Sequence, residues 1–252
     1  MVAAIVLAGS LNDKSLREVS GEAYEALVPV GGKPMIEYVL TALENSPSVS
    51  RIILVGPREL EKLPLSKPMT RVDNSITMME NLRLGLEQVE GEDYVLLTSS
   101  DIPLLTAEAV EDFLARSRML EGDLFYSVVE KGVNEEYYPG MRRTYVKLKD
   151  GTFTGGNLFY FHPGIADDAW SFAEEMVNLR KEPVKMCARL GFFFTLRLLL
   201  GHLAINDLER RVKKLIGIDC RAVICPHPEV GIDIDKPEDH KLVQKILAGK
   251  MV

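Results

Sequence analysis

The spacing of apolar positions changes several times along the chain, and each change marks an element. Ala3 to Leu7 is a continuous apolar run ending at Gly9, the pattern of a central strand buried on both faces. Pro34 opens a helix, where its missing N–H costs nothing, and Met35, Ile36, Val39, Leu40 and Leu43 then repeat on one face. Arg51 to Val55 predicts a second strand closed by Gly56-Pro57. Ser75 to Val89 predicts a helix with Leu82, Leu86 and Val89 at helical spacing. Tyr94 to Leu97 predicts a third buried strand, running into Thr98-Ser99-Ser100-Asp101. Thr106 then caps a helix with Glu108 in its first turn. This alternation continues to about Val129, so a mostly parallel sheet with helices on both faces is expected.

Beyond that point the pattern loosens. Lys131 to Lys149 is charged and irregular, and Asn157 to His162 reads as a strand. Ala166 to Leu215 is largely helical, broken at Pro183 and Gly201. Val230 to Ile234 predicts a last short strand, and Pro237 opens a terminal helix carrying Leu242, Val243, Ile246 and Leu247. With no repeat, low-complexity tract or linker, residues 1–252 are expected to form one Rossmann-like three-layer α/β/α domain with a mixed, mostly parallel sheet. The stretch at about 166–215 is then a helical insertion.

Composition narrows the partners. The 252 residues are 46% hydrophobic and 27% charged, ordinary for a chain with a packed core. A net charge of −7 repels a phosphate backbone, so nucleic acid is not expected as a partner. Cys187, Cys220 and Cys225 are too few and too scattered for a disulfide framework, which fits a reducing cytoplasm. Cys220, Cys225 and His227 match no common zinc spacing. The first residues lack the basic stretch of a signal peptide. Leu190 to Leu200, the most apolar later stretch, is interrupted by Arg197 and falls short of the roughly 20 residues that span a bilayer. It reads as a buried helix, with a dimer or membrane-surface contact as the alternatives.

Three features carry candidate chemistry. Leu7-Ala8-Gly9-Ser10 leaves a buried strand on small residues, which lets backbone N–H groups approach phosphates; a plain tight turn is the competing reading. Asp101, just past a strand, is placed either to hold a divalent cation or to turn the chain ahead of Pro103. Asp233 and Asp235 share one side of an extended segment, which suits a hard cation such as Mg²⁺; Asp235 otherwise supports the helix starting at Pro237. Ligands in parallel sheets bind beyond the carboxyl ends of strands, and the Ala8 and Ser99 loops both lie there.

In order, Leu7-Ala8-Gly9, Gly31-Gly32-Lys33-Pro34-Met35-Ile36-Glu37-Tyr38-Val39-Leu40, Asp101-Ile102-Pro103-Leu104-Leu105-Thr106, Thr154-Gly155-Gly156-Asn157-Leu158 and Asp233-Ile234-Asp235-Lys236-Pro237-Glu238-Asp239 resemble the MobA-like nucleotidyltransferases, which share the nucleotide-diphospho-sugar transferase fold of the GT-A-like group. The resemblance covers most of the chain. It implies attack of a small phosphorylated metabolite on the α-phosphate of an NTP, with Mg²⁺ and release of pyrophosphate. Leu7, Ala8, Gly9, Ser10, Asn81 and Asp101 would then meet the nucleotide, Gly156 and Asn157 the acceptor, and Asp101, Asp233 and Asp235 the metal.

The sequence departs from that family in its first loop and in the length of the helical stretch from Ala166 to Leu215. Where further glycines and an Arg-Met-Gly-like element are usual, it has Ser10-Leu11-Asn12-Asp13-Lys14-Ser15-Leu16-Arg17, and Glu25 takes the place of a lysine. Lys14, Arg17 and Glu25 are therefore the candidate catalytic residues. Either Lys14, Arg17 or Lys33 supplies the missing cation, or Glu25 binds a metal or sugar hydroxyl, or transfer is lost. A non-catalytic nucleotide or nucleotide-sugar binding protein and a GT-A glycosyltransferase are the alternatives. The helical segment either covers the acceptor or makes a homodimer contact.

Overall fold

The computed structural model describes residues 1–13, 15–63, 65–179 and 182–249. Its first strand, β1 (Val2–Leu7), is buried over five of six residues, as its unbroken apolar run requires. A small hairpin of β2 (Pro29–Val30) and β3 (Lys33–Pro34) turns through Gly31 and Gly32, both at positive φ. Helix α1 (Met35–Glu44) buries Met35, Ile36, Val39, Leu40, Ala42 and Leu43. There follow β4 (Val49–Val55), β5 (Met69–Val72), α2 (Met78–Leu86), β6 (Val95–Ser99), α3 (Ala107–Arg118) and β7 (Leu124–Glu130). Thr77 and Glu80 form a reciprocal capping box on α2, and the Thr106 hydroxyl accepts from the Ala109 N–H to cap α3.

The second half differs from the expectation in four places. The stretch 131–149, expected to be irregular, holds α4 (Lys131–Tyr137) and β8 (Val146–Leu148), with 138–145 irregular between them. The strand expected at Asn157 begins earlier, as β9 (Gly151–Phe161). Residues 166–216 fold as α5 (Ala166–Leu179), α6 (Pro183–Leu190), α7 (Phe192–Leu199) and α8 (Ile205–Ile216). The Leu190–Leu200 stretch is not a buried helix, because α7 turns Phe192, Phe193, Leu196 and Leu199 outward. Finally, the last strand is β10 (Cys220–Ile224), while Pro228–Gly231 makes a 3-10 turn where Val230–Ile234 was expected to be strand. Buried Val230, Ile232 and Ile234 gave the alternation of a strand without its ladder. Helix α9 (Pro237–Leu247) closes the order.

The strands run β10-β7-β9-β6-β1-β4-β5 across one sheet, with β8 on β9. β9 is antiparallel to β6 and β7, whereas β1 is parallel to β4 and β6, β4 to β5, and β7 to β10. Ala4 and Val6 point toward α1 and α3, with Val39, Leu40, Val110 and Phe113 in one core. Ala3 and Ile5 point to the other face, against Leu82 and Leu86 of α2. From β1 the chain moves outward to β4 and β5 and then returns to β6 on the other side. The order therefore reverses between β1 and β6, and a crevice opens beyond their carboxyl ends.

Candidate functional site

At that crevice the chain brings together three carboxylates from distant sequence. Asp101 follows β6, and its backbone carbonyl accepts the Ile234 N–H at 3.0 Å. This tie fixes Asp233 and Asp235 beside it, and one oxygen from each of the three aspartates lies within 4.8 Å of the others. The Ser15 hydroxyl donates to the Asp235 carbonyl at 2.8 Å, anchoring the segment to the first loop. Asp239 does what a helix end asks of it, accepting the Lys236 N–H at 3.1 Å.

Crowding of acids sets the electrostatics. Asp101 Oδ1 is buried and lacks a hydrogen bond among the described residues. Burial first, and then the charge of Asp233, push the Asp101 carboxyl up to about 7, with Asp235 and Glu25 adding to the effect. The charge of Glu25 thus acts on the aspartate group. The Tyr126 phenol is pushed up to about 12 by burial and then by Asp233, which brings this tyrosine into the site as well.

Among the described residues, Arg143 answers this charge directly. Arg143 forms an ion pair with the Asp233 carboxylate, and its Nη2 donates to the Asp233 carbonyl at 3.2 Å. Its side chain is only 10% exposed, and its Nε is buried without a hydrogen-bond partner among the described residues. Arg143 and Tyr126 were missed in the sequence. Arg143 sits in a charged stretch where nothing separates it from Arg142, and Tyr126 is one aromatic residue on an ordinary strand.

The first loop folds on itself. Leu11 bridges Tyr24, and the Asn12 amide donates to the carbonyls of Ser20 at 3.0 Å and Glu22 at 2.9 Å. Arg17 Nη1 donates to the carbonyls of Gly21 and Glu22, both at 3.1 Å, so its guanidinium braces this loop. Lys14 lies outside the described residues. Lys33 lines a separate cleft of about 220 Å³ with Glu37, Tyr38 and Thr106, and none of the aspartates lines that cleft.

Among the remaining candidates, Gly9 and Gly156 sit where an added side chain would clash. A Cβ on Gly9 would lie 2.6 Å from Asn74 Cβ and 2.7 Å from Asn81 Nδ2. Asn81 is itself buried and accepts the Ser75 N–H at 2.6 Å, so it holds the loop that leans on Gly9. Leu7, Ala8 and Gly9 are largely enclosed, and the Ser10 carbonyl accepts the Glu25 N–H at 3.0 Å. A Cβ on Gly156 would meet Ser127 Oγ at 2.3 Å, and the Asn157 amide donates to the Val230 carbonyl at 3.2 Å. Asn157 thereby joins β9 to the turn that leads into Asp233.

The donor set fits a divalent hard cation: three carboxylates converge, and a buried Asp101 oxygen awaits a partner. Without such an ion, Arg143 neutralises part of the charge.

Known proteins resemble this chain in sequence family and in fold. Residues 4–227 match the family described as the MobA-like NTP transferase domain. A hypothetical transferase from Thermus thermophilus is 37% identical, with a TM-score of 0.82 over 95% of this chain and 99% of that one. At 15% identity, CMP:2-keto-3-deoxy-manno-octonic acid synthetase complexed with CTP shares the fold, with a TM-score of 0.63 and complete coverage of both chains. The 2-C-methyl-D-erythritol 4-phosphate cytidylyltransferase of Thermus thermophilus shares it at 14% identity and a TM-score of 0.58, over 98% of this chain and 100% of that one. No curated protein matches the chain in sequence.

Proposed function

The chain belongs to the MobA-like NTP transferase family, and on that premise we propose that it transfers an NMP moiety from an NTP to a small phosphorylated metabolite. An acceptor oxyanion attacks the α-phosphorus, the bond from that phosphorus to the bridging oxygen breaks, and pyrophosphate leaves. The observation that carries this reading is the convergence of Asp101, Asp233 and Asp235 within 4.8 Å at the point where the strand order reverses.

Asp101, Asp233 and Asp235 would hold Mg²⁺, which would supply charge neutralisation at the phosphates. Among the described residues Arg143 is the cation paired with this group, and it balances Asp233 until nucleotide arrives. Glu25 adds negative charge next to Asp101, so it suits a metal or a ligand hydroxyl rather than a bare phosphate. Leu7 to Ser10 and Asn81 line the nucleotide side. Gly156 and Asn157, on β9, form the acceptor side. Residues 1–252 make one transferase domain in this reading, with α5–α8 as an insertion; a cytoplasmic setting belongs to the same proposal. No described helix is long and apolar enough to cross a membrane.

The test is pyrophosphate release from ATP, CTP, GTP and UTP with Mg²⁺ and a panel of sugar and polyol phosphates. CTP comes first because the synthetase of similar fold was solved with it. Asp101→Ala and Asp235→Ala should each abolish release, and unchanged release in both variants would end the metal assignment. A second reading rests on Glu25 and on the self-satisfied first loop: a nucleotide or nucleotide-sugar binding protein without turnover. It predicts a ligand-dependent rise in Tm with no pyrophosphate from any combination.

A further inference from the structure

Two buried groups at the aspartate cluster lack hydrogen bonds among the described residues, and they are opposite in character: Asp101 Oδ1 is an acceptor and Arg143 Nε a donor. Asp233 links them. Its carboxylate gathers with those of Asp101 and Asp235, and it also pairs with Arg143. Buried groups left unmet in this way are costly, and each asks what would meet it. One ligand does not serve both. A cation answers the Asp101 oxygen but repels the guanidinium. An oxyanion answers Nε, but alone it faces the aspartates, with Glu25 beside Asp101 and Asp239 beside Arg143. A divalent cation and an oxyanion together meet both needs.

The chemistry of Arg143 suits the second half of that pair. A guanidinium carries five N–H donors in a fixed, planar fork. Nη1 and Nη2 are turned to Asp233, the first to its carboxylate and the second to its carbonyl at 3.2 Å. Nε lies on the adjoining edge, where Nε and Nη2 match two oxygens of one phosphate. The side chain is nine-tenths enclosed, so a pairing made there is little weakened by water. Arg143 also lies outside any helix or strand, so its side chain can turn without breaking a ladder.

Topology indicates which phosphate this is. β9 and β1 flank β6 on opposite sides, and Asp101 follows β6. Leu7 to Ser10 leave β1 on one side. Arg143 runs into β8, which pairs with β9, on the other. Asn157 of β9 is tied in turn to the Val230 carbonyl, close before Asp233.

We propose that Arg143 binds the attacking phosphate of the acceptor, and that a divalent cation at the aspartates prepares it to do so by weakening the hold of Asp233 on Nη1. Cation and phosphate then raise each other's affinity. The identity of the phosphate rests on the transferase reading; the coupling is a binding property and is measured without turnover.

The experiment is equilibrium dialysis of inorganic phosphate against the full chain with and without Mn²⁺. It is paired with Mn²⁺ binding by electron paramagnetic resonance with and without phosphate, both corrected for the complex the two form in solution. Wild type should bind phosphate about tenfold or more tightly with Mn²⁺, and Mn²⁺ should gain the same factor from phosphate. Arg143→Met should erase that factor while binding Mn²⁺ at least as tightly as wild type, which also shows that it is folded. Arg143→Lys keeps a charge on Asp233 but not the fork. It should bind phosphate at least fivefold more weakly than wild type when Mn²⁺ is present, and it decides the matter if the methionine variant does not fold. A full factor in either folded variant would assign the phosphate to the ion alone and overturn the proposal. So would a wild-type phosphate affinity indifferent to Mn²⁺. Kinetics separate this from the transferase reading. If pyrophosphate is released, Arg143→Met should raise KM for the acceptor tenfold or more and that for the NTP less than twofold; a rise for the NTP alone would overturn the proposal. No release from any NTP, with the binding factor intact, would end the transferase reading and leave Arg143 a metal-coupled phosphate receptor.

Discussion

Helices α1 and α7 are both strongly apolar, yet the fold treats them in opposite ways. α1 inserts Ile36, Val39, Leu40 and Leu43 between the sheet and α3. α7 buries no residue completely and exposes Phe192, Phe193, Leu196 and Leu199. The difference lies in what each faces. α1 follows a tight hairpin and lies over β1 and β4, whose side chains leave a surface that must be covered. α7 lies on the small β8–β9 corner, which fills only its Phe194–Leu198 side. Apolar periodicity therefore states that a helix needs a partner without saying whether the partner is in the same chain.

Chemical denaturation of truncations is the most direct way to break this comparison. Leu40→Ala should cost about 2–5 kcal/mol, the range for emptying a close-packed site. Leu199→Ala at low protein concentration should stay within about 0.5 kcal/mol, as exposed positions do. Equal losses at low concentration would mean that α7 is buried after all.

Next in size is Arg143→Met, which leaves the Asp233 carboxylate unpaired. It should cost about 1–3 kcal/mol, the penalty for an unsatisfied and largely enclosed polar group. Because the variant leaves the acid group more negative, Mg²⁺ should recover more Tm in it than in the wild type. Recovery equal to that of wild type would separate Arg143 from the metal group.

Asp101→Asn should reveal itself through pH. A carboxyl raised to about 7 binds its proton more tightly folded than unfolded. Its stabilising contribution is therefore full below the ordinary aspartate range, near 3.9, and is lost as pH climbs toward 7. In metal-free protein, Asp101→Asn should raise Tm at pH 8 relative to wild type and change it little at pH 4. A pH-independent difference would remove the electrostatic account of the site.

The smallest effect is expected at Arg17→Ala. Its two exposed bonds to the Gly21 and Glu22 carbonyls are worth about 0.5–1 kcal/mol together. If Arg17 only braces the loop, pyrophosphate release should fall through KM by less than tenfold; a collapse of kcat would return this residue to the reacting groups.

The strands of the first half were legible because burial on both faces leaves an unbroken apolar run, as in Ala3–Leu7. Helix starts were legible because capping is local, as at Thr106 and Pro237. Val230–Ile234 misled because alternating burial follows from alternating contact with the core, with or without a ladder. β10 was missed because Cys220–Ile224 is an edge strand whose residues are mostly half-buried. Asp101, Asp233 and Asp235 were readable as carboxylates at strand or segment ends. Their proximity was not, since it depends on the bond from the Ile234 N–H to the Asp101 carbonyl across the fold.

Sequence alone determined the elements whose physics is local: apolar period, caps, and the acids and small residues at the carboxyl ends of strands. Tertiary structure decided everything that depends on distance in space. It brought Arg143 to Asp233, faced Glu25 and Tyr126 toward the acids, turned Arg17 into its own loop and left the apolar face of α7 uncovered. Burial and charge pairing between remote segments are properties of the packed chain, and no window of neighbouring residues contains them.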